Sequence, residues 1–196
     1  MRTVPRWALA SAIAAPVGMI GGWTLAASRQ PSFDPTTQTI SALAATSATG
    51  AWVMTAGLAL TGVAHVVTAA GLRPVPVAGR ALLALGGAAT LAVAAFPSDV
   101  APRAHGVAAT IGFGALALWP ALSARRGPGI LRPAVQVTAS AGLVGLLAAF
   151  GAELARDGDA IGLTERALAG AQALWPLVVV VALRRPPERS AFPPVR

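Results

Sequence analysis

The chain has 196 residues, 55% of them hydrophobic and 11% charged, with mean hydropathy +0.67 and a net charge of +8 whose cations are all arginine. A soluble domain carries about 25% charged residues, so a soluble globular protein is excluded. The absence of cysteine, lysine and tyrosine removes disulfides, thiolate chemistry, Schiff bases and a phenolic acid together.

The first apolar block, about residues 7–25, follows Arg2 and Arg6. A basic start before a hydrophobic run also describes a signal peptide. This run, however, is long enough to cross a bilayer, which takes about 20 apolar residues. Gly18 and Gly22 have the small-xxx-small spacing that lets membrane helices approach closely, so the block is read as a retained span. The polar stretch SRQPSFDPTTQTIS, residues 28–41, follows and is broken by Pro31 and Pro35. A second span covers about 50–72. The intervening 39–50 is too long to join it without overshooting the membrane, and a short helix is expected there, on the membrane surface or tucked against the bundle. Within the second span Gly57, Thr61, His65 and Thr68 share one helical face, which must point at other helices because polar groups facing lipid are costly.

The third span, about 81–96, runs into FPSDVAPRAH, residues 96–105, where Pro97 and Pro102 bar a continuous helix. The fourth covers about 105–122, the fifth about 133–151 and the sixth about 163–183, with the charged loop ELARDGDAIG at 153–162 between the last two. The fold class expected is all-α: a polytopic membrane protein with a bundle of six transmembrane helices in a single domain, 1–185. A Pro-rich tail, 186–196, shows no pattern and is expected to be disordered and cytoplasmic.

The charges orient this arrangement. With the N- and C-termini cytoplasmic, the inner segments hold Arg2, Arg6, Arg73, Arg80, Arg125, Arg126, Arg132, Arg184, Arg185, Arg189 and Arg196, against Arg29, Arg103, Arg156 and Arg166 outside. That is a strong positive-inside bias, and it makes the expected location the cytoplasmic membrane. The arginines lie in short clusters between apolar blocks, with no basic domain and no interleaved aromatics, so nucleic acid is not an expected partner. Six of the seven acids fall on the outer side: Asp34, Asp99, Glu153, Asp157, Asp159 and Glu165. Acids contribute little to topology, so this skew points to a polar site at the extracytoplasmic face.

The candidate ligand-binding residues are therefore Asp34, Ser41, Asp99, Arg103, His105, Glu165 and Arg166. Glu165 shares a helix face with Ala169 and Gln172, which carries polarity about two turns into the membrane. Three chemistries fit the cluster. His105 as general base, Asp99 orienting it and Ser41 as nucleophile would make a hydrolase or transferase acting on lipid or envelope substrates, although no GxSxG elbow surrounds any serine. His105 with Asp99, Asp34 or Glu165 could ligate a divalent ion, but no metal-ligand spacing is present and no metal or other cofactor is expected. Binding or gating of a small polar or lipid ligand is the leading expectation. The expected partners are membrane lipid, that ligand and a membrane-protein partner, and a scaffold subunit of a membrane complex is a further alternative. His65 lies about 20 Å deeper than His105 along the bundle, so one haem or metal cannot take both, and His65 is read as an interhelical hydrogen-bonding residue.

Three stretches carry a family resemblance: SFDPTTQTISALAA from Ser32, FPSDVAPRAH from Phe96 and GLTERALAGAQALWP from Gly162. Together they resemble the domain of unknown function 998 family (DUF998), six-helix membrane proteins found mostly in prokaryotes. The pattern is an Asp-Pro…Ser segment after the first helix (Asp34, Pro35, Ser41), a Phe-Pro-x-Asp…His turn (Phe96, Pro97, Asp99, His105) and a Glu-Arg pair opening the last helix (Glu165, Arg166). The resemblance implies the fold and the location of the site, and no activity.

Overall fold

The computed structural model describes residues 3–185; the tail at 186–196, with Arg189 and Arg196, lies outside them, as does Arg2. Among the described residues the regular structure is entirely helical. Six long helices are α1 (Arg6–Ala27), α3 (Trp52–Gly71), α4 (Val77–Ala95), α5 (Pro102–Leu122), α6 (Pro133–Ala155) and α7 (Ile161–Arg184), and α2 is a single short turn at Ile40–Leu43. The six run from 19 to 24 residues, which at 1.5 Å per residue gives about 28–36 Å, enough for a hydrocarbon core of about 30 Å. The chain is thus a six-span membrane protein.

The helices extend beyond the apolar runs that announce them. α4 starts at Val77 rather than Ala81, directly after Pro76, and α5 and α6 open on Pro102 and Pro133. Proline suits a first helical turn because its missing N–H has no intrahelical partner there. Hydropathy sees only the apolar length of a helix, whereas its end is set by where backbone bonding stops. Arg80 accordingly falls in the first turn of α4, where Nε and Nη2 reach back to the carbonyls of Ala69 (2.8 Å) and Ala70 (3.3 Å) at the end of α3. Glu153 is helical for the same reason.

Each long helix packs on its neighbour in sequence, and α7 returns to α1, closing the ring. The polar face of α3 turns inward: Thr61, His65 and Thr68 are all buried. Thr68 shares a 2.8 Å hydroxyl–hydroxyl hydrogen bond with Ser11 on α1, and the Thr61 hydroxyl lies 2.7 Å from the Gly57 carbonyl and 3.2 Å from that of Ala15. The Ala15 carbonyl sits where α1 widens into a π turn at Val17–Gly21, just after Pro16, so Thr61 supplies bonding where the α-helical ladder is interrupted.

Small residues set the helix spacing. A Cβ on Gly18 would come 2.8 Å from the Gly57 carbonyl of α3, and one on Gly62 would come 2.7 Å from the Gly87 carbonyl of α4. Without a hydrophobic force between helices in lipid, such backbone approach is a main source of cohesion. Gly57→Ala is therefore expected to destabilise the bundle by about 1–3 kcal/mol through overpacking, although alanine in a free helix would gain up to about 1 kcal/mol. Thermal unfolding in detergent checks the sign, and a raised midpoint would show that α1 and α3 are not held at backbone contact.

Candidate functional site

One end of the bundle gathers the connections 28–51, 96–101 and 156–160, and hydrogen bonds hold them together. Leu163 N donates to the Thr36 carbonyl (3.1 Å), and Arg166 Nη1 lies within 2.9 Å of the carbonyls of Pro35, Gln38 and Gly162. The Arg166 guanidinium also stacks 5.2 Å from the Phe33 ring centroid. Gly162 permits this approach, since a Cβ there would collide with the Pro35 and Gln38 carbonyls. The opposite end carries the arginine clusters, with Arg125 Nη1 on the Pro74 carbonyl and Arg184 Nη1 on that of Val4.

Within the first end, α2 is tied at its N-terminus to α7. The Thr39 hydroxyl accepts from Ala42 N (3.2 Å), and Glu165 Oε2 accepts from Ile40 N (2.5 Å). The first N–H groups of any helix lack intrahelical partners and carry partial positive charge, which is why a carboxylate of α7 settles there. This bond turns Ser41, the next residue, toward α5. His105 lies in the first turn of α5, its Nδ1 2.8 Å from the Phe96 carbonyl and its Nε2 2.9 Å from Ser41 Oγ. A carbonyl only accepts, so Nδ1 carries the proton; in the neutral ring Nε2 is then the acceptor and the Ser41 hydroxyl donates to it.

Asp99 does not orient His105. It accepts from the hydroxyl (2.7 Å) and amide (3.0 Å) of Thr46 and from Ser47 N (3.2 Å), and so clamps the segment that follows α2. The Phe96 carbonyl takes the place expected for Asp99, because Pro97 turns the chain away and leaves that carbonyl without a helical partner. Asp34 closes its own turn, accepting from Thr36 N at 2.7 Å while its amide donates to Gln38 Oε1 at 2.9 Å. Glu153 accepts from Ala160 N (3.0 Å) and pairs with Arg156, so it serves the loop after α6. Arg103 is exposed on the first turn of α5. The structure thus brings Ser41, His105 and Glu165 together and assigns Asp34, Asp99 and Arg166 to holding the connections around them.

A cavity of about 40 Å³ lies inside the ring, lined by Ser41 and Glu165, by Thr90, Phe113 and Gln172, and by His65. His65 shares this cavity with Ser41 and Glu165, and not with His105. Gln172 Nε2 donates to the Phe113 carbonyl (2.9 Å), while Gln172 Oε1 and His65 Nδ1 are buried without partners among the described residues. The signal for Gln172 was its place on the Glu165 face. Nothing in the sequence marked Thr46 and Ser47 as partners of Asp99. Among the described residues no group of three histidines and acids is close enough to hold a metal ion.

An internal ring of six spanning helices, sealed at one end by looped segments around a polar pocket, defines an integral membrane protein of the helical-bundle class. A family model described as "Protein of unknown function (DUF998)" matches residues 12–182, and the chain belongs to that family. No curated protein and no solved structure matches the chain.

The hydrogen bonds from Thr46, and then from Ser47, hold the exposed Asp99 carboxyl down from its ordinary 3.8 to about 2. A carboxylate whose folded pKa is depressed stabilises the fold above its unfolded pKa and loses that contribution as pH falls through the folded value. Thr46 and Ser47 amides should therefore stay protected against hydrogen exchange at pH 4 and lose protection toward pH 2. Asp99→Asn should speed their exchange at neutral pH and remove this acid dependence; unchanged exchange would mean that the clamp holds nothing.

Proposed function

We propose that the chain is a cytoplasmic-membrane protein that binds or gates a small polar ligand, or the polar head of a lipid, through the Ser41–Glu165 end of the bundle, with that end facing outward. The observation that carries this reading is the cavity, because three buried polar side chains from α3 and α7 (His65, Glu165 and Gln172) face it at membrane depth. Polar groups at that depth are costly unless they serve a pathway or a site. The clustering of Arg73, Arg80, Arg125, Arg126, Arg132, Arg184 and Arg185 at the opposite end supports the orientation. A cavity of about 40 Å³ suits a ligand of a few heavy atoms and has no room for an acyl chain. In lipid nanodiscs, a panel of small polar solutes should include some that raise the unfolding midpoint, and Ser41→Ala with Glu165→Gln should abolish the effect. A panel with no stabilising member would count against a site.

A second reading is favoured by one observation, the Ser41–His105 hydrogen bond at 2.9 Å with Nδ1 fixed on the Phe96 carbonyl. A serine that donates to a tautomer-fixed imidazole beside a cavity has the arrangement of an activated nucleophile. On this reading the protein is a membrane-embedded hydrolase or transferase, with Ser41 attacking and His105 taking its proton. A fluorophosphonate probe should then label the wild type at Ser41, and His105→Gln should slow labelling by about 10²-fold or more. A wild-type protein inert to the probe leaves the hydrogen bond as a structural tie.

A further inference from the structure

We propose that the central cavity takes a small monovalent cation, held between the Glu165 carboxylate and the side chains of Gln172 and His65. The assignment rests on the polar-site reading above and names its ligand. It follows from counting which polar atoms along the lining are already engaged. The carbonyl of Phe113 can only accept, so the amide nitrogen of Gln172 faces it and Oε1 is left buried with no partner. Thr90 gives its hydroxyl hydrogen to the Gly86 carbonyl at 2.9 Å, which leaves lone pairs on its oxygen. Ser41 gives its hydrogen to His105. His65 Nδ1 has no partner and offers a lone pair in the Nε2–H tautomer. Gln172, Thr90 and Ser41 each spend a hydrogen on another acceptor and keep oxygen lone pairs, so their oxygens suit a group that seeks lone pairs.

Charge points the same way. Glu165 is only 4% exposed, and among the described residues no ion pair reaches it. Arg166, the next residue of α7, is the nearest cation, but its Nη1 is directed at the carbonyls of Pro35, Gln38 and Gly162 and it does not line the cavity. Among the described residues no arginine lines it, which disfavours phosphate, carboxylate or any other anion. A buried carboxylate without a counter-ion carries a large desolvation penalty that one backbone hydrogen bond only partly offsets, and a cation beside it offsets more. The lining holds a single carboxylate, whereas calcium sites gather several oxygens and more than one acid and magnesium keeps most of its water. One negative charge, neutral acceptors and room for a few water-sized bodies match an alkali ion or ammonium.

The test is thermal unfolding of the full-length protein in nanodiscs at constant ionic strength, exchanging N-methylglucamine chloride for sodium, potassium or ammonium chloride. N-methylglucamine is too large for the cavity. The midpoint is expected to rise by about 3 °C for each tenfold increase in the bound cation above its dissociation constant, and the ranking of the three salts tells an alkali ion from ammonium. Glu165→Gln and Gln172→Leu should each flatten the response, and Gln172→Leu decides alone if the first variant does not fold. A wild type indifferent to all three salts, or a response that survives both variants, overturns the proposal. Neutral formamide and acetamide separate it from the reading on which it rests. Stabilisation by these amides without a cation effect leaves a polar site and removes the cation, whereas no effect of either kind removes both.

Discussion

The carboxylate of Glu165 on the amide of Ile40 is the contact around which one end of this bundle is arranged. Inside a bilayer no water is available to satisfy backbone polar groups, and irregular chain at that depth survives only where protein supplies the partners. The turn at Ile40–Leu43, buried on Ile40 and Leu43, has two of its first N–H groups satisfied from outside its own ladder, that of Ile40 by α7 and that of Ala42 by Thr39. Arg166, one residue on, gathers two carbonyls of the same connection, Pro35 and Gln38, besides that of Gly162 in its own helix. Adjacent residues of α7 thus hold the first donor of α2 and two acceptors of the turn before it.

Ser41 occupies its position because of that contact. It sits between the imidazole of His105 and the central cavity, and the Phe96 carbonyl, freed where Pro97 ends α4, fixes the tautomer of the ring. The acids near this end have separate tasks. Asp34 closes a turn, Asp99 clamps Thr46 and Ser47, and Glu153 caps its own loop. Glu165 is the acid that both holds structure and lines the cavity, which is why the functional reading centres on it.

Much of the architecture was legible because each feature depends on local chemistry. Apolar runs of bilayer length mark the six spans, and the small-xxx-small spacing of Gly18 and Gly22 marks the face on which α1 meets the backbone of α3. The helix ends were less legible, since α4 begins just after Pro76 and α5 on Pro102, both outside the hydrophobic run. Asp99, which orients His105 in the catalytic alternative drawn from the sequence, is another such case. It bonds instead to Thr46, a residue far away in sequence, because the connection after α2 folds back over that turn. Which acceptor a carboxylate chooses depends on where a distant loop lies, and no periodicity records that.

The sequence by itself determined the class of protein, the number of spans, the family and the polar segments that meet at one end. Those follow from transfer free energy and from short motifs, both readable residue by residue. The tertiary structure alone decided that Ser41 meets His105, that Glu165 holds α2, and that His65, from the middle of α3, opens on the same cavity as the residues at its mouth. These depend on the closing of the ring, with α7 returned against α1, and that closure is a property of all six helices at once.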